Sequence, residues 1–402
     1  MSNSMNVKLK DSVTFRTGKL NSNAAVEDGK YPFFTCSQEI FRTNTFSFDT
    51  ECVLLAGNNA SAIYPIFYYK GKFDAYQRTY IIEPKNGNDI RFFYYLLQKK
   101  LDEFKNQSTG VTTKFLTLKI LNNIEVIIPP KSIQTKISSL LSAYDELIEK
   151  NQLRIEKLEE MAQLLYREWF VEFRFPGYEK QKFVDSELGK IPKGWIVSKV
   201  SDVAKISRGI SYRSDNLVDD GIPFFTINSL YRNGGFKLDG LKFYEGNYKE
   251  SQLIKPNEII IGVTDMTQAR LIVGSVARIP SSGIEDGLIS MDLVRAKAKT
   301  GYSNEYVFSM LRYSDFTRTV KEFANGANVL HLSPKHIEKF QFALPDEDTR
   351  DQFVEVVSPI YQLMDNLVRT NVLLTKTRDL LLPKLMSGEI DVSKIDINIT
   401  EN

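Results

Sequence analysis

Tyr31-Pro32-Phe33-Phe34-Thr35 reappears 191 positions later as Ile222-Pro223-Phe224-Phe225-Thr226. Reading these two pentapeptides as copies of one strand decides the fold. A second echo supports it. Gly110, Leu116, Lys119 and Pro129 recur as Gly326, Leu332, Lys335 and Pro345, each 216 positions on, with Thr117 matched by Ser333. Each copy runs into a long heptad-patterned segment, so the order is globular unit, helix, globular unit, helix. Such a duplication gives one chain two similar but non-identical heads related by a pseudo-two-fold. The offset grows by about 25 residues between the echoes, and this extra chain is expected in the loops of the second unit. Different loops on one scaffold give two heads different specificities.

The helical signal is the most regular. Ile137, Leu141, Tyr144, Ile148, Asn151, Ile155, Leu158, Ala162 and Leu165 step by four and three throughout. Phe353, Val357, Ile360, Met364, Leu367, Asn371, Leu374, Arg378, Leu381 and Leu385 do the same. That spacing is a coiled-coil seam, and about 29 residues of it at ~1.5 Å each span roughly 43 Å. Each seam holds one asparagine, Asn151 or Asn371. A seam asparagine costs stability and fixes register. The simplest arrangement pairs the two helices antiparallel. Pro359 lies inside the second pattern and is expected to kink it or delay its first turns.

Between these landmarks, alternation and turn residues suggest the remaining elements. In the first unit Cys52–Ala56 and Tyr64–Tyr69 read as strands, with Lys70-Gly71-Lys72 as a tight turn before Thr79–Ile82. Asn88–Phe104 reads as a helix capped by Asn88. In the second unit Glu258–Gly262, Leu271–Arg278 and Leu288–Arg295 read as strands and Asn304–Lys321 as a helix. Tyr68, Tyr69 and the Phe92–Tyr95 run have strand and helix spacing, which favours core over base-stacking platforms.

The chain has 402 residues and a formal net charge of +2. That length accommodates two cores. The charge is low for a protein that grips nucleic acid alone, so if the chain binds DNA, a partner is expected to supply much of the phosphate neutralisation. The only cysteines, Cys36 and Cys52, do not form a secreted disulfide framework. The first ten residues have no signal-peptide pattern, no apolar run is long enough to span a bilayer, and a cytoplasmic location is expected.

Three stretches resemble type I restriction–modification specificity subunits. They are Pro129-Pro130 with Gln134 and Ile137 leading into the heptads, Gly189-x-Ile191-Pro192-x-Gly194-Trp195, and Arg378-Asp379-Leu380-Leu381-Leu382-Pro383-Lys384-Leu385-Met386-Ser387-Gly388-Glu389-Ile390. The resemblance runs from Val7 to about Ile390. It departs at the start of the second helix, where Asp346 and Arg350 replace Pro130 and Gln134. The resemblance implies that each globular unit is a target recognition domain for one half of a bipartite, asymmetric site in double-stranded DNA. It implies that the helices set the gap and dock two methyltransferase subunits carrying S-adenosylmethionine, which methylate adenine. Two restriction–translocase subunits using ATP and magnesium can join them. No membrane is involved, and this chain is not itself an enzyme.

The residues agree with a non-catalytic role. No phosphate-binding loop, S-adenosylmethionine glycine fingerprint or Asn-Pro-Pro-aromatic tetrapeptide is present. His331 and His336 lack a nearby cysteine, so no metal or cofactor is expected on this chain. Asp89 with Glu103 and Lys105 imitates a nuclease triad, but on one helix these are surface charges. Base readout needs donors and acceptors on loops. The candidates are Asn58, Asn59, Ser61, Tyr76, Gln77 and Arg78 in the first unit. In the second they are Thr264, Asp265, Thr267, Gln268 and Arg270. The glycine segments Ser108–Lys114 and Asn325–Leu330 are alternative contact loops.

The expected fold is α+β: two pseudo-two-fold-related α/β target recognition domains separated by two long helices forming an antiparallel coiled coil. The boundaries are recognition domains at 1–130 and 197–345, helical spacers at 131–175 and 346–392, a connector at 176–196 and a tail at 393–402. Two rivals are a specificity subunit from a system with a fused methyltransferase–nuclease and a coiled-coil adaptor that binds protein.

Overall fold

The computed structural model describes residues 4–60, 62–110, 113–232, 234–281 and 283–395. The chain divides into two compact units, one of Met1–Ile148 with Leu373–Asn402 and one of Glu149–Val372. Each therefore owns a segment of both long helices, Lys131–Tyr166 and Glu347–Ser387.

In the first unit Met5–Lys8 pairs antiparallel with Glu125–Ile128, which brings the start of the chain beside the start of the first long helix. A six-stranded sheet follows, in the order 13–17, 79–84, 48–56, 66–75, 31–34, 41–43. Side-chain alternation on its central strand builds two cores. Val53 and Leu55 face helix Ile90–Lys99 with Phe92, Phe93 and Leu96, while Cys52 and Leu54 pack with Phe34, Phe48 and Phe73. The first of these cores also takes in Ile137 and Leu141 of one long helix and Leu385 and Met386 of the other.

The second unit repeats the plan. Ile196–Lys199 pairs with Gln341–Leu344. Its strands form two four-stranded sheets, in the orders 204–208, 293–298, 259–262, 276–278 and 217–218, 242–244, 222–225, 288–289. The two pentapeptides of the opening echo occupy the same place. Phe33–Phe34 pairs in parallel with Asp74–Ala75, and Phe224–Phe225 with Leu288–Ile289. The second echo is a helix start. Thr117 accepts the Ile120 N–H at 3.4 Å, and Ser333 precedes Pro334 at the first turn of helix Pro334–Glu338.

The long helices run antiparallel within each unit. In the first, Lys136 Nζ donates to Ser393 O at 2.8 Å and Asp145 pairs with Arg378 at 2.5 Å, so rising numbers meet falling ones. In the second, Asn151 Nδ2 donates to Asn371 Oδ1 at 2.9 Å and Tyr166 meets Phe353 at 6.2 Å between ring centroids. The two seam asparagines are thus partners, which satisfies both and penalises any slipped register.

Several local expectations change. Lys70-Gly71-Lys72 is no turn but the middle of strand Ile66–Ala75, with Gly71 opposite Thr50 at φ +134, a conformation that glycine tolerates. The first unit's helix ends at Lys99 and a second begins at Leu101. Its cap is Asp89, whose carboxylate accepts the Phe92 N–H at 3.0 Å, one residue after the expected Asn88. The second unit's helix likewise ends at Tyr313, before a separate helix Phe316–Val320. Only Val276–Arg278 of the expected strand Leu271–Arg278 pairs, because Gly274 turns the chain at φ +78. Glu347–Ser387 continues through Pro359. Proline removes one helical N–H, and burial of Phe353, Val357 and Tyr361 on both sides of it holds the helix together.

Candidate nucleic-acid interface

In the first unit, three segments meet at Gly57, just past the end of the central strand. The Gly57 N–H donates to Arg78 O at 2.8 Å, and Gly57 O accepts the Leu116 N–H at 2.9 Å. Asn58-Asn59 then pairs with Lys114-Phe115. Asn58 Oδ1 accepts from Cys36 Sγ at 3.0 Å, and the Arg78 guanidinium lies 5.5 Å from the centre of the Phe115 ring. Gln77 and Arg78 are exposed at the turn, while Tyr76, Asn58 and Asn59 are half-buried. Asn59 Oδ1 accepts the Ile63 N–H at 3.4 Å. Ser61 lies outside the described residues. The loop through Gly110 closes on itself by a bridge between Thr109 and Phe115. Gly110 has φ +109, and a Cβ there would sit 2.1 Å from Thr113 O, so only glycine fits.

The second unit repeats this junction. Leu332 N–H donates to Val263 O at 2.8 Å, and Thr264-Asp265 pairs with Leu330-His331. Gly326 matches Gly110, with φ +144 and a Cβ position 1.9 Å from Val329 O. The two pairs of candidate loops, alternatives in the sequence, are in each unit one surface. They join through the strand pairs at 58–59 with 114–115 and at 264–265 with 330–331.

Thr264 and Asp265 depart from their expected role as exposed readers. They are only 4% and 2% exposed. The Asp265 carboxylate accepts the N–H of Thr267 at 2.9 Å and of Ile272 at 2.7 Å, together with the Thr267 hydroxyl at 3.0 Å. Burial, the largest single influence, pushes the carboxyl up. The hydrogen bonds from Ile272, Thr267 and Val273 together outweigh it and hold the pKa below the ordinary carboxylate value. Asp265 shapes the loop and presents nothing to a ligand. Thr267 and Gln268 are exposed. Gln268 Nε2 donates to Gly326 O at 3.3 Å and Ala327 O at 3.1 Å, and Arg270, at φ +54, pairs with Glu322 at 2.7 Å. These three remain surface groups, held in place by the neighbouring loop.

Sequence reasoning missed Cys36 and Phe115, which enter the first junction only through tertiary pairing. The remaining reactive groups are scattered. Burial pushes the Cys52 thiol up to about 12, making it inert. Asp89 is spent on the Phe92 cap and on the Ser138 hydroxyl, and Glu103 pairs with Lys100. His336 stacks on Phe323 at 4.4 Å, while the His331 Nδ1 lies 3.5 Å from the Thr264 hydroxyl. Among the described residues no three His, Cys, Asp or Glu side chains gather to hold a metal, and no helix is long and apolar enough to cross a membrane.

Residues 1–160 match the family described as type I restriction modification DNA specificity domain. The chain is 33% identical over 220 residues to the type I restriction enzyme EcoDI specificity subunit of Escherichia coli, covering 50% of this chain and 49% of that one. It thus spans about half the length of that relative. It is 26% identical over 324 residues to the MjaIX specificity subunit of Methanocaldococcus jannaschii, covering 78% of this chain and 72% of that one. Its fold is shared with the crystal structure of a type I restriction–modification S subunit from M. genitalium. The TM-score is 0.58 at 16% identity, over 95% of this chain and 96% of that one.

Proposed function

From the chain's similarity to type I restriction–modification specificity subunits, we propose that it supplies the DNA sequence specificity of such a complex, each unit reading one half of a bipartite, asymmetric duplex site. The observation that carries this reading is the repeated junction. The same backbone pairing holds Asn58-Asn59 against Lys114-Phe115 in one unit and Thr264-Asp265 against Leu330-His331 in the other. Equivalent loops with different exposed groups are what two different half-sites require. Gln77 and Arg78 in the first unit, and Thr267, Gln268 and Arg270 in the second, are the readers, with Asn58 and Asn59 behind the first pair. The recognition domains occupy 1–130 and 197–345.

The helical spacers set the number of unread base pairs. The Asn151–Asn371 hydrogen bond fixes their register, so the gap is one defined length. Outside the seam, Leu147, Leu153, Leu164, Leu363, Leu373 and Leu380 are exposed. Leucines left outside a satisfied seam favour partner docking, here of two methyltransferase subunits. Those partners carry S-adenosylmethionine, and two restriction–translocase subunits use ATP and magnesium. This chain catalyses nothing, and the complex works in the cytoplasm.

The test is a genome-wide map of methylated adenines with and without the gene. Loss of one gapped, asymmetric motif on deletion is expected. An unchanged map, from cells in which the chain co-purifies with an active methyltransferase, sinks the reading.

A further inference from the structure

A second polar feature lies away from the reading junction, on the sheet of the second unit. A cleft of about 660 Å³ is lined by Lys205, Arg208, Lys255, Arg295 and Lys297, with Glu250 as its lining carboxylate. Strand register builds it. Lys205 is directly opposite Lys297, and Ser207 directly opposite Arg295, on antiparallel neighbours. Directly opposed residues share a face, so three cations line one side of two paired strands. The alternate residues, Ile206 and Ala296, face the core.

The charges are unequally compensated. Arg295 is buried and pairs with the buried Glu258, and its Nη1 donates to Leu253 O at 3.0 Å. The Nε of the same Arg295 is buried with no hydrogen-bond partner. Lys297 reaches Glu258 only at 4.0 Å, with its side chain 58% exposed. Lys205, Arg208 and Lys255 are exposed, and among the described residues none has an ion-pair partner. Like charges directly opposite on adjacent strands destabilise a sheet. Lys205 and Lys297 therefore work against the stability of the free protein. The equivalent pair in the first unit is Thr14 opposite Glu83, where Glu83 takes Arg16 at 2.8 Å and the Thr50 hydroxyl at 2.7 Å. The same sheet face is thus internally paired in one unit and left cationic in the other.

We infer that this cleft is a phosphodiester-binding site, and that the second unit uses it to hold the backbone of duplex DNA flanking its half-site. The inference rests on the DNA-reading proposal above. Distance along the sheet favours it. Glu258 precedes strand Ile259–Gly262 and the Thr264 junction follows it, so at ~3.3 Å per residue they are at most roughly 20 Å apart. At ~3.4 Å per base pair that is about six base pairs, the right order for a phosphate just outside a short half-site. A bound phosphate would relieve the Lys205–Lys297 repulsion. The consequence is asymmetry. Sequence-independent affinity resides mainly in the second unit, and the first unit binds mainly by its specific contacts.

The test uses the full chain with its co-purifying partners and the double variant Lys205→Gln, Lys297→Gln. Both side chains are exposed, so the variant folds. Affinity for duplex DNA is measured against salt concentration, with and without the recognised motif, beside the thermal midpoint of the free protein. The expected result has two opposite parts. The salt slope falls by about 1.8, at ~0.9 per lost phosphate contact, on both duplexes, while the methylated motif is unchanged. The thermal midpoint of the free protein holds or rises. An unchanged slope in a complex that still selects its motif overturns the cleft assignment alone. Absence of motif selection in the unaltered complex overturns the DNA-reading proposal instead. A slope that falls only when free phosphate or nucleotide is the competitor, and not with duplex, assigns the cleft to a small anion and overturns the backbone role.

Discussion

The two units attach a β-rich head to a segment of the long helices by different chemistry. In the second, Arg278 donates two hydrogen bonds to Asp365, at 2.9 and 2.8 Å, with both side chains about 95% buried. Ser281 adds its backbone N–H to the same carboxylate, and the Tyr361 hydroxyl meets Ser309 at 2.7 Å. The Arg278 guanidinium lies 5.0 Å from the centre of the Tyr361 ring, and further along the same helix Phe353 joins Trp169, Phe170 and Tyr306 in one aromatic cluster. In the first unit the corresponding link is partly wet. Tyr95 donates to Asp145 at 2.5 Å, and Arg378 pairs with the same carboxylate at 18% and 31% side-chain exposure. Burial, and then the Asp145 hydrogen bond, push the Tyr95 phenol far above its ordinary value, so it is always a donor. A neutral network completes the attachment. Gln134, 1% exposed, donates to Asn88 Oδ1 and Pro129 O and accepts the Asp89 N–H. The difference teaches that one duplicated scaffold does not imply one set of fastenings. Where Gln134 stands in the first helix, Arg350 stands in the second, 4.5 Å from the centre of the Tyr302 ring.

The largest break in this comparison is Asp365→Ala. It strands a buried guanidinium and is expected to cost about 3–5 kcal/mol. The first unit's counterpart, Asp145→Ala, leaves Arg378 within reach of water and is expected to cost about 1–2 kcal/mol. Chemical denaturation of the full chain measures both, and equal losses would erase the distinction between buried and wet attachment. Next is Gln134→Ala, which leaves the Asp89 N–H and Pro129 O without their partner and should cost about 1–3 kcal/mol. If the loss is below ~0.5 kcal/mol, the neutral network does not hold the first helix to its unit.

The smallest effect concerns the two loop junctions and pH. Asp265 of the second unit stands where the first has the neutral Asn59. The folded pKa of Asp265 is below its unfolded value. Its ionised form therefore stabilises the fold above the unfolded pKa, near 4, and that contribution is lost as pH falls through the lower folded value. Hydrogen exchange at Ile272 and Val273 is expected to accelerate in that acid window, with the Ile63 amide of the first unit unaffected. Asp265→Asn should remove the pH dependence. Acceleration at both junctions alike would assign it to general acid unfolding.

Much of this was legible in the chain. The heptads located both long helices, because a 3.5-residue apolar period has few other structural solutions. Their single asparagines turned out to be mutual partners. The echo of Tyr31–Thr35 in Ile222–Thr226 located equivalent strands, since the shared Pro-Phe-Phe-Thr survives when both copies fill the same buried slot. Local reading failed where pairing decides. Lys70-Gly71-Lys72 has turn composition, yet Glu51, Thr50 and Asp49 opposite it keep the strand extended. Thr264 and Asp265 look like an exposed polar loop, and four hydrogen bonds to one carboxylate take them inside.

The sequence by itself determined the duplication, the two helices and the resemblance to type I specificity subunits, because each is carried by period or by motif along one dimension. The tertiary structure decided which loops become one surface, which polar residues are spent internally, and that Lys205 faces Lys297 across two strands. The joined loops and the facing lysines depend on pairs 55 to 92 residues apart being set to within one residue of register, and a one-residue slip would turn every such side chain to the other face.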